Sequence, residues 1–271
     1  MQNKLINRAK EIKSDGSTIK VLKCRFACIN IEIDCLYGYS FRQFGSYLHD
    51  FSIPDIIIRI SQEEIDKEKK SHSELVEPNI CIENEHVAVT YDYGFLEPFV
   101  ALKKIANDIL RFDTFLIHGA AIEKDGFAYV FIAPSGVGKT TRICIWKSIY
   151  PDSVIINGDK PFIKITDTQI FICGTPWCGK EGWNTNTMVP LRAIFLLERV
   201  RDEEESSIEE VSFGKAFPIL LQQTHRPINS DLMRKSLALL KALEGKVRIY
   251  KFRSTPTEDS IRLAYETARP R

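Results

Sequence analysis

Residues 133–141, APSGVGKTT, have the types and spacing of a loop that binds nucleotide phosphates. An apolar segment, AYVFIA, precedes them and a helix-favouring segment follows, so the loop would join a strand to a helix. Backbone amides of the turn and the helix dipole would then hold the β- and γ-phosphates. The predicted phosphate-binding residues are Ala133, Pro134, Ser135, Gly136, Val137, Gly138, Lys139, Thr140 and Thr141.

Individual residues of this loop have separate expected tasks. Gly136 and Gly138 permit backbone shapes that side chains would block. Lys139 would bring positive charge to the phosphates and the Thr140 hydroxyl would ligate Mg²⁺. Ala133 stands where the pattern has its first glycine, and its methyl group is acceptable if the turn keeps a negative φ there. We therefore expect ATP and Mg²⁺ as ligands, although this loop serves ATPases, GTPases, kinases and motors alike.

Composition narrows the class of protein. The 271 residues carry a net charge of +1 and are 44% hydrophobic, which is ordinary for a globular protein. This balance gives no electrostatic case for nucleic acid or an anionic membrane as a partner. No apolar run approaches the roughly 20 residues that span a bilayer, and the amino terminus lacks an apolar signal region. We expect a cytoplasmic protein whose seven cysteines are reduced thiols.

The order of predicted elements indicates two parts. Residues 20–60 favour strands, which predicts a small β-rich lobe over residues 1–104, while residues 105–271 alternate strands with helices, as in an α/β core. A helix is predicted over 97–112 and a hairpin around Lys124-Asp125-Gly126. Two polar stretches, 61–79 and 199–212, are expected to be solvated. Thr255 is the expected N-cap of a helix near the carboxyl terminus.

Several short segments carry a resemblance to a known family. They are IHGAAI (117–122), the glycine-rich loop, N-x-D-K-P (157–161), GTPW-x-GK (174–180), LLQQT-x-RP (220–227) and AYE (264–266). In order and spacing, residues 105–271 resemble the catalytic domain of HPr serine kinase/phosphorylase, which is related to the phosphoenolpyruvate carboxykinase fold. They resemble bacterial HPr-kinase-like proteins of undefined substrate more closely. The implied fold is an α/β core of this P-loop kinase type.

The resemblance implies catalytic roles for four residues: Asp159, His118, Lys139 and Arg226. Asp159 would be the general base that takes the proton of an acceptor hydroxyl. His118 would lie beside the transferred phosphate, and Arg226 would neutralise developing charge. Read alone, His118 is as readily a structural residue, Asp159 a turn residue and Arg226 a surface residue.

Magnesium would be held by Thr140 with Asp159, Glu181 or both. The family has two adjacent aspartates where this chain has Gly158 and Asp159, so one carboxylate would have to serve as base, metal ligand or both. Glu198, at the end of an apolar strand, is a rival acid of the kind that activates water in ordinary ATPases.

The predicted function is transfer of the γ-phosphoryl group of ATP to a hydroxyl, with serine of a peptide or small protein as acceptor. A small-molecule hydroxyl such as free serine is the alternative acceptor. A nucleotide-binding regulator or scaffold without phosphotransfer is the rival from another class, supported by Gly158 and Ala133. Carboxykinase chemistry is a weaker third reading. The family's ring assemblies make a homo-oligomer an expectation, although no interface can be read from one chain.

Overall fold

A computed structural model describes residues 10–12, 18–75, 80–82, 85–87, 92–134, 136–198 and 206–270. The chain divides into two compact units, Met1–Asp108 and Ile109–Arg271. The expected boundary after residue 104 falls four residues earlier, inside a helix. In the described part of the chain, no helix combines the length and apolarity that crossing a membrane would require.

The first unit contains six strands and three α-helices among its described residues. They are β1 (Lys10–Ile12), β2 (Thr18–Phe26), β3 (Ile29–Cys35), α1 (Tyr39–Gln43), β4 (Ile56–Arg59), α2 (Gln62–Leu75), β5 (Ile80–Ile82), β6 (Glu85–Val87) and α3 (Tyr93–Asp108). A four-stranded sheet has the order β1-β2-β3-β4, and β5 pairs with β6 alone. Neighbouring strands are antiparallel except β3 and β4, which are parallel.

Alternating burial explains this sheet. Ile29, Ile31 and Ile33 of β3 are buried while the residues between them are partly exposed, which is the period of a strand with one covered face. The strands expected within 20–60 are confirmed, but helix α1 in the same range was not expected. The polar stretch at 61–79 forms α2 as far as Leu75, and 76–79 lie outside the described residues.

Helix α3 buries a carboxylate. The helix begins at Tyr93, four residues before the predicted start, so Glu97 lies within it rather than at its end. Glu97 has no exposed surface and accepts hydrogen bonds from the Tyr37 amide at 3.0 Å and the Ser40 hydroxyl at 2.8 Å. Burial raises the pKa of Glu97, and these hydrogen bonds offset only part of that effect.

Glu97→Gln should make stability less dependent on pH. A pKa that is higher in the folded state means that folding is favoured at low pH and loses stability as pH rises through the folded-state pKa. The amide cannot ionise, so the difference in unfolding free energy between variant and wild type should rise with pH. Urea unfolding at several values from about pH 4 to about pH 8 measures it. A constant difference would contradict the assignment.

The second unit contains nine strands and four α-helices among its described residues. They are β7 (Thr114–Leu116), β8 (Ala120–Lys124), β9 (Phe127–Ile132), α4 (Lys139–Ile149), β10 (Val154–Asn157), β11 (Phe162–Ile165), β12 (Ile170–Cys173), β13 (Met188–Glu198), β14 (Ser207–Glu210), α5 (Phe213–Gln223), α6 (Ser230–Lys241), β15 (Arg248–Arg253) and α7 (Glu258–Ala268). The sheet order is β10-β8-β9-β13-β12-β11-β7, and β15 pairs with both β13 and β14.

Strands β9, β13 and β15 form the parallel centre of this sheet. Their side chains alternate between two faces: Tyr129 and Phe131 belong to one core cluster, Val130 and Ile132 to the other. Helices α4 and α7 cover the first face, and α5 and α6 cover the second. The expected α/β class is therefore confirmed, with helices on both sides of a mixed sheet.

The structure can be compared with four local predictions: the hairpin, the N-cap of α7, the solvated stretch and the state of the cysteines. The hairpin at Lys124-Asp125-Gly126 is confirmed, with Asp125 at φ 54° and Gly126 at φ 79°. The N-cap of α7 is Thr257, not Thr255, because Thr257 and Ser260 form a reciprocal capping box. Of the stretch 199–212, residues 199–205 lie outside the described residues, and the remainder is exposed or partly exposed, as expected, although Ser207–Glu210 form β14 and pair with β15. No disulfide links any of the six cysteines whose side chains are described.

Candidate functional site

The glycine loop, defined here as residues 133–138, joins the end of β9 to the start of α4. Gly136 and Gly138 have φ of 78° and 98°, left-handed conformations that favour glycine. Ala133 is buried in the core beneath α4 and is not among the described residues with positive φ. The methyl group is therefore accommodated as expected. Ser135 lies outside the described residues, so its placement stays a prediction.

Lys139 lies across the glycine loop. Its side chain is 8% exposed, and its ammonium donates a hydrogen bond of 2.8 Å to the carbonyl of Ala133. Burial lowers the pKa of Lys139, Lys160 lowers it further, and the charge of Asp159 opposes both. The charge of Asp159 thus acts on the pKa of the loop lysine. Thr140 and Thr141 follow in the first turn of α4, as expected from the sequence.

Asp159 is the centre of a cluster of polar side chains. One of its carboxylate oxygens lies 3.0 Å from His118 Nε2 and the other 2.5 Å from Lys160 Nζ. Burial alone would raise the pKa of Asp159, but the His118 hydrogen bond and the Lys160 charge outweigh it and hold this pKa well below its usual range. The carboxylate is thus ionised at neutral pH, and all three side chains keep some exposure to solvent.

A buried asparagine fixes the backbone of Asp159. Asn157 has no exposed surface, and its Oδ1 accepts hydrogen bonds from the amides of Asp159 at 2.9 Å and Lys160 at 2.7 Å. Its Nδ2 donates to the carbonyl of Thr175 at 3.0 Å, and the Thr175 hydroxyl donates to the Lys160 carbonyl at 2.7 Å. The segments N-x-D-K-P and GTPW-x-GK therefore form one hydrogen-bonded unit that holds the cluster.

His118 is positioned from two sides. Its amide donates to the carbonyl of Gln223 at 2.7 Å, and the amide of Gly119 donates to the carbonyl of Asp159 at 2.9 Å. His118 lies between β7 and β8. On either side of it, β7 pairs with β11 and β8 pairs with β10. The predicted segment IHGAAI thus places His118 at the junction of three chain segments.

Glu181 lies near the cluster on the loop that follows GTPW. A Cβ built on Gly179 would lie 3.3 Å from Asp159 Cβ and 3.4 Å from Glu181 Oε2, so the two side chains flank this glycine. Oxygen donors of this kind suit Mg²⁺, which needs only one or two carboxylates beside phosphate and water. Within the described ranges, no group of three or more His, Cys, Asp and Glu side chains forms a ready-made metal site.

Gly158, which stands where the resemblance has the first of two adjacent aspartates, has no room for a side chain. A Cβ at this position would lie 2.8 Å from the carbonyl oxygen of Cys178, a backbone atom. The Gly158 amide also donates to the carbonyl of Trp183 at 2.9 Å, which holds the two segments together. The loop after GTPW thus occupies the space that another carboxylate would need.

Gly158→Asp should destabilise the protein by about 1–3 kcal/mol, since an added side chain must displace backbone in a packed region. It should not increase any phosphotransfer activity. Urea unfolding and a transfer assay check the two statements. Gly214→Asp is the matched control, because a Cβ there meets nothing within 4 Å and an acid near the start of helix α5 is favourable. A stable and more active Gly158→Asp variant would contradict the packing argument.

Arg226, a predicted catalytic residue, and Glu198, the rival acid, take no part in the hydrogen bonds given for the cluster around Asp159. Arg226 is exposed and follows the segment whose Gln223 carbonyl receives the His118 amide. Among the contacts of the described residues, none joins Arg226 to Asp159. Glu198, the rival acid, pairs with Lys251 at 3.1 Å and Arg253 at 3.8 Å on the neighbouring strand. Its carboxylate therefore has a structural use.

A surface groove of about 660 Å³ involves other residues, including Arg248, Glu210, Arg269 and Glu266. Its charges pair with one another, Arg248 with Glu210 at 2.8 Å and Arg269 with Glu266 at 2.7 Å. None of its lining residues belongs to the cluster around Asp159. Volume alone therefore does not point to the residues that the sequence singles out.

Comparisons with known proteins find similar solved structures. The chain is similar to the solved Hpr(Ser) kinase/phosphatase from Coxiella burnetii at 11% sequence identity and a TM-score of 0.27, over 47% of this chain and 90% of that chain. No family model matches the chain. No curated protein matches the chain. The structural similarity is distant.

Proposed function

We propose that this chain is an ATP- and Mg²⁺-dependent kinase that transfers the γ-phosphoryl group to a hydroxyl. The observation that carries the proposal is that the Asp159 carboxylate is bonded to His118 and Lys160, and its charge also acts on the glycine-loop lysine, Lys139. A phosphate-binding lysine and a carboxylate for the acceptor hydroxyl are the two parts that such a transfer requires. The α/β core would then be of the P-loop kinase type.

The glycine loop fits a nucleotide polyphosphate. Gly136 leaves open space where a side chain would stand, and Gly138 begins α4 with left-handed backbone. Amides at this helix start and the Lys139 ammonium would hold the phosphates. Thr140, Asp159 and Glu181 are the oxygen donors available to Mg²⁺. Bound Mg²⁺ would neutralise charge on the phosphate oxygens.

Asp159 would orient the acceptor hydroxyl and would take its proton only late in the transfer, not before the hydroxyl attacks phosphorus. A carboxylate with a lowered pKa is a weak base. In a loose transfer the acceptor oxygen loses its proton late, as its bond to phosphorus forms and the bond to the leaving phosphate breaks. His118 and Lys160 would hold Asp159 in place, and Lys139 would stabilise charge on the moving group. Arg226 would add charge from the acceptor side.

The acceptor is proposed to be serine of a peptide or small protein, with free serine or another small hydroxyl as the alternative. Incubation with radiolabelled ATP and a serine-containing peptide library, or with free serine, tests both. Label in the peptide fraction supports the first acceptor and label in the small-molecule fraction the second. Lys139→Met should abolish either, and label that persists in this variant would contradict the proposal.

One observation favours a second function, a nucleotide-binding regulator without transfer. Both oxygens of Asp159 are engaged, by His118 and Lys160, and Gly158 leaves no room for another acid. A regulator would bind ATP and return it unchanged. Measurement of ADP release by the pure protein, with and without the acceptor mixture, separates the two functions.

A further inference from the structure

A buried arginine contacts the glycine loop from below. Arg142 lies in the first turn of α4 and is 1% exposed. Its Nη1 donates hydrogen bonds to the carbonyl oxygens of Val137 at 3.2 Å and Gly138 at 3.3 Å. These are the last two carbonyls before the helix begins. The guanidinium therefore contacts the part of the loop where amides face an anion in other helix-start sites.

Because each peptide group is planar, the hydrogen bonds to the Val137 and Gly138 carbonyls also determine where the next amides point. In a trans peptide the carbonyl and the following N–H point in opposite directions within one plane. The Val137 carbonyl shares its plane with the Gly138 amide, and the Gly138 carbonyl shares its plane with the Lys139 amide. Since both carbonyls turn toward Arg142, both amides turn away from it. Amides at a helix start have no intrahelical acceptor and are the groups that bind phosphate.

The other end of the guanidinium is anchored to the sheet. Nη2 donates to the carbonyl of Ser254 at 2.6 Å and to its hydroxyl at 3.0 Å. Ser254 is buried just after β15, and its amide donates to the carbonyl of Glu198 at the end of β13. The ring of Phe252 lies 5.6 Å from the guanidinium carbon. Arg142 thus ties the loop to the parallel centre of the sheet.

Gly138, the residue before α4, lies close to the Arg142 guanidinium. Gly138 has φ of 98°, and a Cβ there would lie 3.0 Å from Arg142 Nη1. Both the left-handed backbone and the close approach of the guanidinium thus favour glycine. The buried Arg142 side chain therefore contacts the glycine loop at the residue whose backbone shape begins α4.

We propose that Arg142 is a positioning residue that holds the amides of Gly138 and Lys139 in the orientation that binds polyphosphate. The proposal rests on the proposed nucleotide function and adds to it a residue that does not touch the ligand. A planar fork that bonds two carbonyls at one end and Ser254 at the other cannot be replaced by the single ammonium of lysine.

The test measures binding of inorganic tripolyphosphate with Mg²⁺ by isothermal titration, since this probe reports on the loop without the nucleoside. Arg142→Lys should bind about tenfold more weakly than wild type, because charge-assisted hydrogen bonds to the loop are lost. Ser254→Ala, which removes one anchoring bond, should bind about two- to threefold more weakly. Arg262→Lys on the exposed face of α7 is the matched control and should bind like wild type.

The outcomes separate this proposal from the proposed function. A folded wild type that binds neither tripolyphosphate nor ATP overturns both. Wild-type affinity in folded Arg142→Lys and Ser254→Ala overturns the positioning role alone. Weaker binding in variants whose circular dichroism matches wild type supports it, since general destabilisation does not lower affinity in a fully folded sample. If Arg142→Lys does not fold, Ser254→Ala decides the question by the same comparison.

Discussion

Asp159→Asn should reduce phosphoryl transfer by about a thousandfold while ATP still binds, the loss typical when a positioned acid–base group is removed. The amide can still accept the hydrogen bond from His118, but it cannot take a proton from the acceptor. Its NH₂ group also faces the Lys160 ammonium where a carboxylate oxygen now lies 2.5 Å away. The ion pair is lost, and the cluster keeps its shape through Asn157 and Thr175.

Transfer of label from ATP in single-turnover experiments measures this effect, and titration with a non-hydrolysable ATP analogue measures binding in the same sample. Asp167→Asn, in the exposed turn between β11 and β12, is the matched control and should behave like wild type. Full transfer activity in folded Asp159→Asn would remove Asp159 from the mechanism. Loss of ATP binding together with transfer would assign it to the nucleotide instead.

Gly174→Ala should be among the most destabilising single substitutions in the chain. A Cβ at this position would lie 1.9 Å from the carbonyl oxygen of Thr185 and 2.9 Å from that of Ile156. Both obstacles are backbone atoms, so the segment between β12 and β13 must move away from β10. The Gly174 amide donates to the carbonyl of Thr187 at 3.0 Å, and that bond would be strained as well.

We expect a loss of about 3–5 kcal/mol of unfolding free energy in Gly174→Ala, the range reached when a packed site is overfilled and its hydrogen bonds break. Urea unfolding followed by tryptophan fluorescence measures it. Gly214→Ala is the control, because a Cβ there meets nothing within 4 Å and alanine suits a helix. Stability within about 1 kcal/mol of wild type would show that the segment packs differently.

The strand, loop and helix around Lys139 could be predicted because spacing and chemistry coincide there. The glycines, the lysine and the threonines are contiguous, so one short pattern specifies both a turn and a binding surface. The hairpin before it was equally local, since Asp125 and Gly126 supply the positive φ that the turn needs. Such features depend on neighbours in sequence and can be read from one chain.

The surroundings of Asp159 could not be derived in this way. Asn157 and Thr175 are 18 residues apart, and nothing in either segment shows that one side chain would fix the other. The bond between His118 and Asp159 joins the segment between β7 and β8 to the segment between β10 and β11, and the sequence does not show that these two segments meet. Their association was expected from a resemblance, and their roles remain proposals.

Lys160 and Arg142 show what the sequence reading missed. The sequence pattern N-x-D-K-P predicts no role for Lys160, although its ammonium pairs with the Asp159 carboxylate. For the segment that contains Arg142 the sequence predicts only a helix, and arginine on a helix is usually solvated. Its buried hydrogen bonds to Ser254, 112 residues further along the chain, become visible only when the sheet brings β15 beside β13.

The central claim is that the glycine loop binds the phosphates of a nucleotide. Isothermal titration of the pure protein with a non-hydrolysable ATP analogue, with and without Mg²⁺, tests it most directly. We expect binding that strengthens with Mg²⁺, falls at least about a hundredfold in Lys139→Ala and is unchanged in Lys246→Ala, an exposed lysine of the same unit. Absence of binding by the folded wild-type protein, or equal binding by Lys139→Ala, would contradict the account.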